Sequence, residues 1–490
     1  MDCAKSKYRL GGIFTKENLK AFYMGKYYPI FVCVIVLFGY LTGTELYLNA
    51  VHLLVLSIGL CLVDSLRPLV TALCTFVFQI SREHTPADFS IEAVEANNYY
   101  FEGARGVIFV LSFVPPLIGI IVFFVKNKLI NRKALGSLPM LIPSGVLTIA
   151  LLLGGAFSGA WNGASLVYSL ATVLVWFIVP YLFILGFKKD NSKELLNYFV
   201  YLASIITVIL IVEVLFVYLS TDGLITESGT IDRVRFAYGW GNCNTGAQAL
   251  TIIIPILFIG ATKGDNKKQI YYFAMATIAL LGIILNMSRT GLLVGGLTYA
   301  ACALFAFIKS DKKKRFLIEA GIVLASVVAL AAIFGGVVLL ALENYIERGI
   351  DDSGRIALWS KAFEAFCESP IFGKGFFGLY PKDPTDVLEI SSVAFLPKMA
   401  HNTVCQLLGS LGIVGLLAYV FYRACSLRPF LRKPTYSKSM IGIAMLTVLA
   451  GSLLDNFVFY ILPMFNYAVL YAILYKMVEE DGEERRSLLF

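Results

Sequence analysis

Fourteen apolar stretches follow one another along the 490-residue chain, near 28–47, 51–63, 68–80, 106–125, 138–157, 165–187, 197–219, 243–262, 270–286, 290–308, 316–342, 403–422, 439–457 and 461–477. A helix needs about 20 apolar residues to cross a bilayer, so most of these stretches are long enough to span. The composition agrees: 58% of residues are apolar and 15% charged, against about 45–50% and 25% in soluble domains. A soluble globule, a disordered chain and a coiled coil are excluded. The expected fold is an all-α integral membrane protein with about 12–14 transmembrane helices. The uncertain number lies in residues 51–80, where two short stretches flank Asp64-Ser65-Leu66-Arg67-Pro68 and form either two spans or a re-entrant pair.

Lys and Arg fix the orientation. With the N-terminus in the cytoplasm, 30 of the 41 basic residues fall in cytoplasmic segments, five of them, including Arg423, between the spans at 403–422 and 439–457. This is the positive-inside pattern, with both termini cytoplasmic. The net charge of +8 therefore reports topology rather than nucleic acid. The first span follows a long basic stretch without a small-residue cleavage pattern and reads as retained. Nine scattered cysteines, with no Cys-x-x-Cys, offer neither a disulfide framework nor a zinc site.

No internal repeat is visible, and residues 1–490 read as one polytopic membrane domain. Its longest hydrophilic interruption, 343–402, is an extracytoplasmic loop. Within it an amphipathic helix is expected at about 354–369, capped by Ser353, with apolar positions 356, 359, 363 and 366 and Pro370 closing the run. That helix either lies on the membrane interface or covers the bundle as a lid.

Few cations face outward, so each requires an explanation. Arg289 sits in the short connection Asn286-Met287-Ser288-Arg289-Thr290-Gly291. It either reaches headgroup phosphates or serves a site. Helices running from outside to inside offer free N–H groups and a positive dipole end to the outer face. Three such starts carry polar residues: the one near 243 follows Arg233 and Arg235 and includes Asn244, the one near 290 follows Ser288-Arg289, and the one near 403 follows His401-Asn402. Helix N-termini beside arginines bind phosphate. If the three ends converge, they form a pyrophosphate site. His401, one of three histidines, is either a cap-region hydrogen-bonding residue or a base able to take a proton from a hydroxyl.

Ser288-Arg289-Thr290-Gly291, then Gly354-Arg355-Ile356-Ala357-Leu358-Trp359, Ser369-Pro370-Ile371-Phe372-Gly373-Lys374-Gly375, and Ala400-His401-Asn402-Thr403 with Leu411-Gly412-Ile413-Val414-Gly415 together resemble the O-antigen ligase and Wzy-type polysaccharide polymerase superfamily, over roughly residues 235 to 425. The resemblance implies a membrane glycosyltransferase of the GT-C kind in a bacterial cytoplasmic (inner or plasma) membrane, active on the extracytoplasmic side, without metal or other cofactor. Its donor would be a polyprenyl-pyrophosphate-linked glycan. Partners would be the lipid bilayer and a chain-length regulator or other polysaccharide-assembly proteins, with no nucleic acid. Arg289 resembles the family's essential arginine and His401 its proposed base. Arg235, with Arg233 as rival, would be a second phosphate-side arginine, and Arg355, Asn402 and Asn244 further substrate contacts. This chain departs from the family in having Cys243 where many members have proline, and in lacking an acidic residue near Ser410.

Polymerase and ligase differ only in acceptor: another lipid-linked repeat unit, or a different molecule. The extra candidate helices and the aromatic, weakly charged loop favour the polymerase. A transporter of lipid-linked sugar is the alternative suggested by Glu213, Glu319 and Asp455 within or near apolar runs. A scaffold for partner assembly is a third. Arg355 has its own structural alternative, pairing with Asp351 or Asp352. Walker, Rossmann, HExxH and Gly-x-Ser-x-Gly motifs are missing.

Overall fold

The computed structural model describes residues 15–80, 103–130, 135, 138–220, 243–262, 266–310, 313–333, 335–347, 354–380, 399–431 and 434–482. These are helical, with no strand among them. In chain order the helices are α1 (Lys16–Met24), α2 (Tyr27–Thr42), α3 (Glu45–Leu62), α4 (Arg67–Thr75), α5 (Gly103–Ser112), α6 (Val114–Lys126), α7 (Leu141–Leu153), α8 (Gly163–Val173), α9 (Val179–Gly186) and α10 (Ser192–Ser220). They continue with α11 (Cys243–Thr262), α12 (Asn266–Leu285), α13 (Arg289–Lys309), α14 (Lys313–Ile333), α15 (Gly335–Glu347), α16 (Arg355–Glu368), α17 (Thr403–Leu431), α18 (Tyr436–Gly451) and α19 (Ile461–Glu480).

Among the described residues nine helical segments are long and apolar enough to cross a membrane, and a tenth if α1 and α2, bent by 69°, count as one. Large apolar side chains such as Val34, Ile121, Val125, Leu297 and Leu324 are exposed along the outer helices. That makes lipid, not water, the solvent of this surface, and the chain is an all-α membrane protein. At the centre stands α11, apolar all round and buried from Cys243 through Ala261, as such a helix must be. It packs against α10, α12, α13, α18 and α19.

One end of the bundle gathers cations. Arg67 bridges Asp190 at 2.8 Å and Glu194 at 2.9 Å, Lys20 and Lys126 share Asp64, and Lys438 meets Asp481 at 2.5 Å. At the opposite end α11, α13, α17 and α19 begin.

Several expected spans take a different form. The stretch expected at 51–63 is the 18-residue α3, because its helix starts at Glu45. The stretch at 68–80 stays short, α4 running into a 3-10 turn over Phe76–Ile80. Over 316–342 the described helices are α14 and α15, on either side of residue 334, which lies outside the described residues, and the run at 439–457 stops at Gly451, leaving 452–460 as a largely buried turn. Arg423, counted with the loop charges, lies inside α17 and is buried.

The amphipathic helix is α16, Arg355–Glu368, close to the expected 354–369. Gly354, at φ +74°, precedes it without a side-chain cap, and Ser353 lies outside the described residues. Small side chains do the docking: Ala362 and Ala365 are buried against α17, while Ile356 and Phe363 stay exposed.

Two of the sequence motifs are halves of one junction. Within α17 the backbone leaves helical geometry at Gly412 (φ 65°, ψ −163°), so residues 403–411 form a half-helix. The segment Ser369–Gly375 fills the break. The amides of Lys374 and Gly375 donate to the carbonyls of Gly409 and Ser410, and those of Ile413 and Val414 donate to Pro370 and Ile371. A Cβ at Gly412 would stand 2.4 Å from the Ile371 carbonyl oxygen, and one at Gly373 2.4 Å from the Ser410 carbonyl carbon. Both positions also need positive φ, which glycine supplies without strain.

Candidate functional site

The turn before α13 is buried and tightly specified. Met287 adopts φ +57°, unusual for a non-glycine residue, and Ser288 caps the helix, its Oγ accepting from the Gly291 amide at 3.0 Å. A Cβ on Gly291 would stand 2.5 Å from that of Ala247, so glycine here lets α13 abut α11. The Ser288 hydroxyl then donates to Asn244 Oδ1 at 2.6 Å, joining the first turns of α11 and α13.

A matching turn precedes α17. Asn402 caps it, Oδ1 accepting from the Val404 and Cys405 amides, while its Nδ2 donates to the Leu453 carbonyl. On the other side of His401, the Ala400 amide donates to Gln406 Oε1 and the Ala400 carbonyl accepts from Trp359 Nε1 at 2.9 Å. His401 itself has φ +50°. Held from both neighbours, its imidazole projects from a strained backbone position that the surrounding bonds fix.

Asp455 closes the circuit. It is fully buried in the turn between α18 and α19. Its Oδ2 accepts from Asn244 Nδ2 at 2.7 Å, and its Oδ1 contacts His401 Nδ1 at 2.9 Å, the Tyr460 hydroxyl at 2.9 Å and the Asn456 amide at 2.7 Å. Burial alone would push this carboxyl up. The His401 contact, with the Asn456 amide and the Tyr460 hydroxyl, outweighs it and holds the group below the ordinary carboxylate range. With its proton on Nδ1, His401 donates to the Asp455 carboxylate, and in that tautomer Nε2 carries the lone pair. The ring is about a third exposed, 34%, so that lone pair can meet a ligand.

Of the sequence candidates, the structure brings His401 and Asn244 together on Asp455, places Asn402 as the cap that holds His401, and attaches Arg289, half-buried, through its neighbour Ser288. Arg355 opens α16 one turn ahead of Trp359. Arg233 and Arg235 lie outside the described residues, as do Asp351 and Asp352. Sequence reasoning missed Asp455 as part of the site, weighing it only as an intramembrane charge. Its signal was an Asp-Asn pair interrupting an apolar run, with no indication of which histidine it would face. Of the other two acidic candidates, Glu319 pairs with Arg315 at 2.7 Å within α14, and Glu213 is buried in α10.

Chemically, the arrangement offers a carboxylate-oriented imidazole beside the N-termini of three helices, whose positive dipole ends favour an anion. Among the described residues no three His, Cys, Asp or Glu side chains are grouped to hold a metal ion. No curated protein matches the chain. Residues 274–420 match the family model Wzy_C, described as O-antigen ligase, a match that spans Arg289, the Gly412 junction and His401 but leaves Asn244 and Asp455 outside. Over residues 274–420 the chain is thus similar to the O-antigen ligase and Wzy-type superfamily.

Proposed function

We propose that the protein is a polysaccharide polymerase. It transfers a glycan from polyprenyl pyrophosphate to a sugar hydroxyl of a second lipid-linked repeat unit, on the extracytoplasmic side of a bacterial cytoplasmic membrane. The observation that carries this reading is the continuous set of hydrogen bonds from His401 through Asp455 and Asn244 to Ser288, beside Arg289. It unites a proton acceptor with the start of a helix fit for a diphosphate. The gathering of cations at the other end of the bundle supports an outward-facing site.

In this mechanism the acceptor hydroxyl meets Nε2 of His401 and gives up its proton as its oxygen attacks the anomeric carbon. The bond from that carbon to the diphosphate oxygen breaks, and polyprenyl pyrophosphate leaves with inversion. Asp455 stabilises the imidazolium that forms. Arg289 and the first amides of α13 face the charge growing on the leaving group, a contribution commonly worth a few kcal/mol per donor. Arg233, Arg235 and Arg355 are proposed as further contacts to donor or acceptor, and the reaction needs no metal.

A ligase reading, favoured by the description of the matching family, uses the same residues with a different acceptor. The test supplies the protein in vesicles with its lipid-linked oligosaccharide alone. A ladder of products establishes the polymerase, no reaction until another acceptor is added establishes the ligase, and intact substrate crossing the vesicle refutes both. Arg289→Ala or His401→Ala with unchanged product formation would remove the assigned roles.

A further inference from the structure

Arg423 lies in the second part of α17, only 4% exposed. None of its three guanidinium nitrogens has a hydrogen-bond partner among the described residues. Its neighbours are ring faces. The guanidinium carbon stands 5.0 Å from the Trp176 ring, 5.0 Å from Tyr419, 5.2 Å from Tyr422 and 4.9 Å from Tyr467. A desolvated cation is costly inside a membrane protein, and the four surrounding rings offset that cost. The mechanism above does not use it.

The cage holds Trp176 from several sides. Trp176 sits in a π-helical turn, Leu174–Ile178, between α8 and α9, a local irregularity often found where a helix serves a site. The Tyr422 hydroxyl donates to the Trp176 carbonyl at 3.1 Å, and Tyr467 is itself held by Ser426 at 2.9 Å. So fixed, the indole N–H donates to the Val458 carbonyl at 2.8 Å, and Phe459 packs on the indole at 5.4 Å.

Val458 belongs to the turn that carries the site. Its amide donates to Ser452 Oγ, and the Ser452 carbonyl accepts from Thr403, the first residue after Asn402. Two residues further on, Tyr460 donates to Asp455. Any shift of Val458 therefore reaches His401 by two routes, through Asp455 and through the start of α17.

We propose that Arg423 is a positioning residue for the transfer reaction: it clamps Trp176, whose indole N–H anchors Val458 and so sets Asp455 against His401. The inference rests on the role given to His401 above. It does not place Arg423 in contact with substrate.

The test compares Arg423→Met, Arg423→Lys and Trp176→Phe in the full chain, reconstituted in lipid nanodiscs with the lipid-linked oligosaccharide. Alongside the kinetics it records amide hydrogen exchange over residues 456–460. Arg423→Met and Trp176→Phe should each lower kcat about tenfold while KM changes less than about twofold, the pattern of a displaced reacting group. Arg423→Lys, which keeps the cation over the rings, should restore most of the rate. Exchange at Asn456 and Val458 should quicken in the Met and Phe variants and not in the Lys variant. An unchanged kcat, a loss confined to KM, a Lys variant no better than Met, or unchanged exchange overturns the proposal. If Arg423→Met does not fold, Trp176→Phe, which keeps both cation and ring, decides. If the wild-type protein transfers nothing, the functional reading fails by itself, and the exchange measurements still decide whether Arg423 controls the turn.

Discussion

Replacing Asp455 with Asn changes one atom in the most connected group of the site. The Oδ1 position accepts from three donors and Oδ2 from Asn244, so the new amide settles with its nitrogen toward Asn244, which turns over to accept. Shape and most bonds survive; the negative charge does not. A carboxylate 2.9 Å from the His401 nitrogen stabilises an imidazolium by about 6 kcal/mol at an effective dielectric of about 20. The ring is 34% exposed, and screening removes about half of that. The remaining ~3 kcal/mol is felt only as the imidazole gains its proton, and it corresponds to about a 10²-fold loss in kcat with little change in KM. Initial rates of glycan transfer by purified protein in nanodiscs measure it. Asp455→Asn within about threefold of wild type, at an unchanged melting temperature, would refute the role of His401 as proton acceptor.

The same carboxyl gives a pH dependence of stability. Its folded value lies below the ordinary one, so its contribution is fully present above pH ~4 and is lost as pH falls through the lower folded value. The difference in thermal stability between wild type and Asp455→Asn should narrow as pH falls below ~4. Gly412→Ala places a methyl against the Ile371 carbonyl at positive φ and should cost about 2–3 kcal/mol. Gly145→Ala, inside α7 with nothing within 4 Å of the new methyl, should stabilise by about 0.5–1 kcal/mol, and thermal unfolding in detergent separates the two. Ser288→Ala removes both the α13 cap and the link to Asn244. It should lower stability by about 1 kcal/mol and slow transfer, with Ser288→Thr recovering the cap.

The membrane class was legible because apolar runs of bilayer length have few other uses, and the helix starts at 243, 289 and 403 were legible because Asn244, Ser288 and Asn402 are good capping or hydrogen-bonding types. Their convergence was not, since which helix ends adjoin depends on packing around α11, whose sequence is apolar on every side. Asp455 was visible only as an unexplained charge: a hydrogen bond to a residue 54 positions away leaves no local pattern. Arg423 was misread for a related reason. A cation near the expected end of a span looks like a loop residue, and nothing nearby announces that Trp176 and Tyr467 will enclose it. The periodicity made α16 legible but not how it docks, because close helix contact selects the small Ala362 and Ala365 while Ile356 and Phe363 stay exposed.

Tyr380 donates to the carbonyl of Leu358, and Ala400 accepts from Trp359, so the chain leaves α16 and returns to it at adjacent residues. Whatever length of polypeptide lies between those two anchors begins and ends at one fixed stem. An insertion between those anchors would start and finish at the same stem, and would displace the imidazole only by straining that stem.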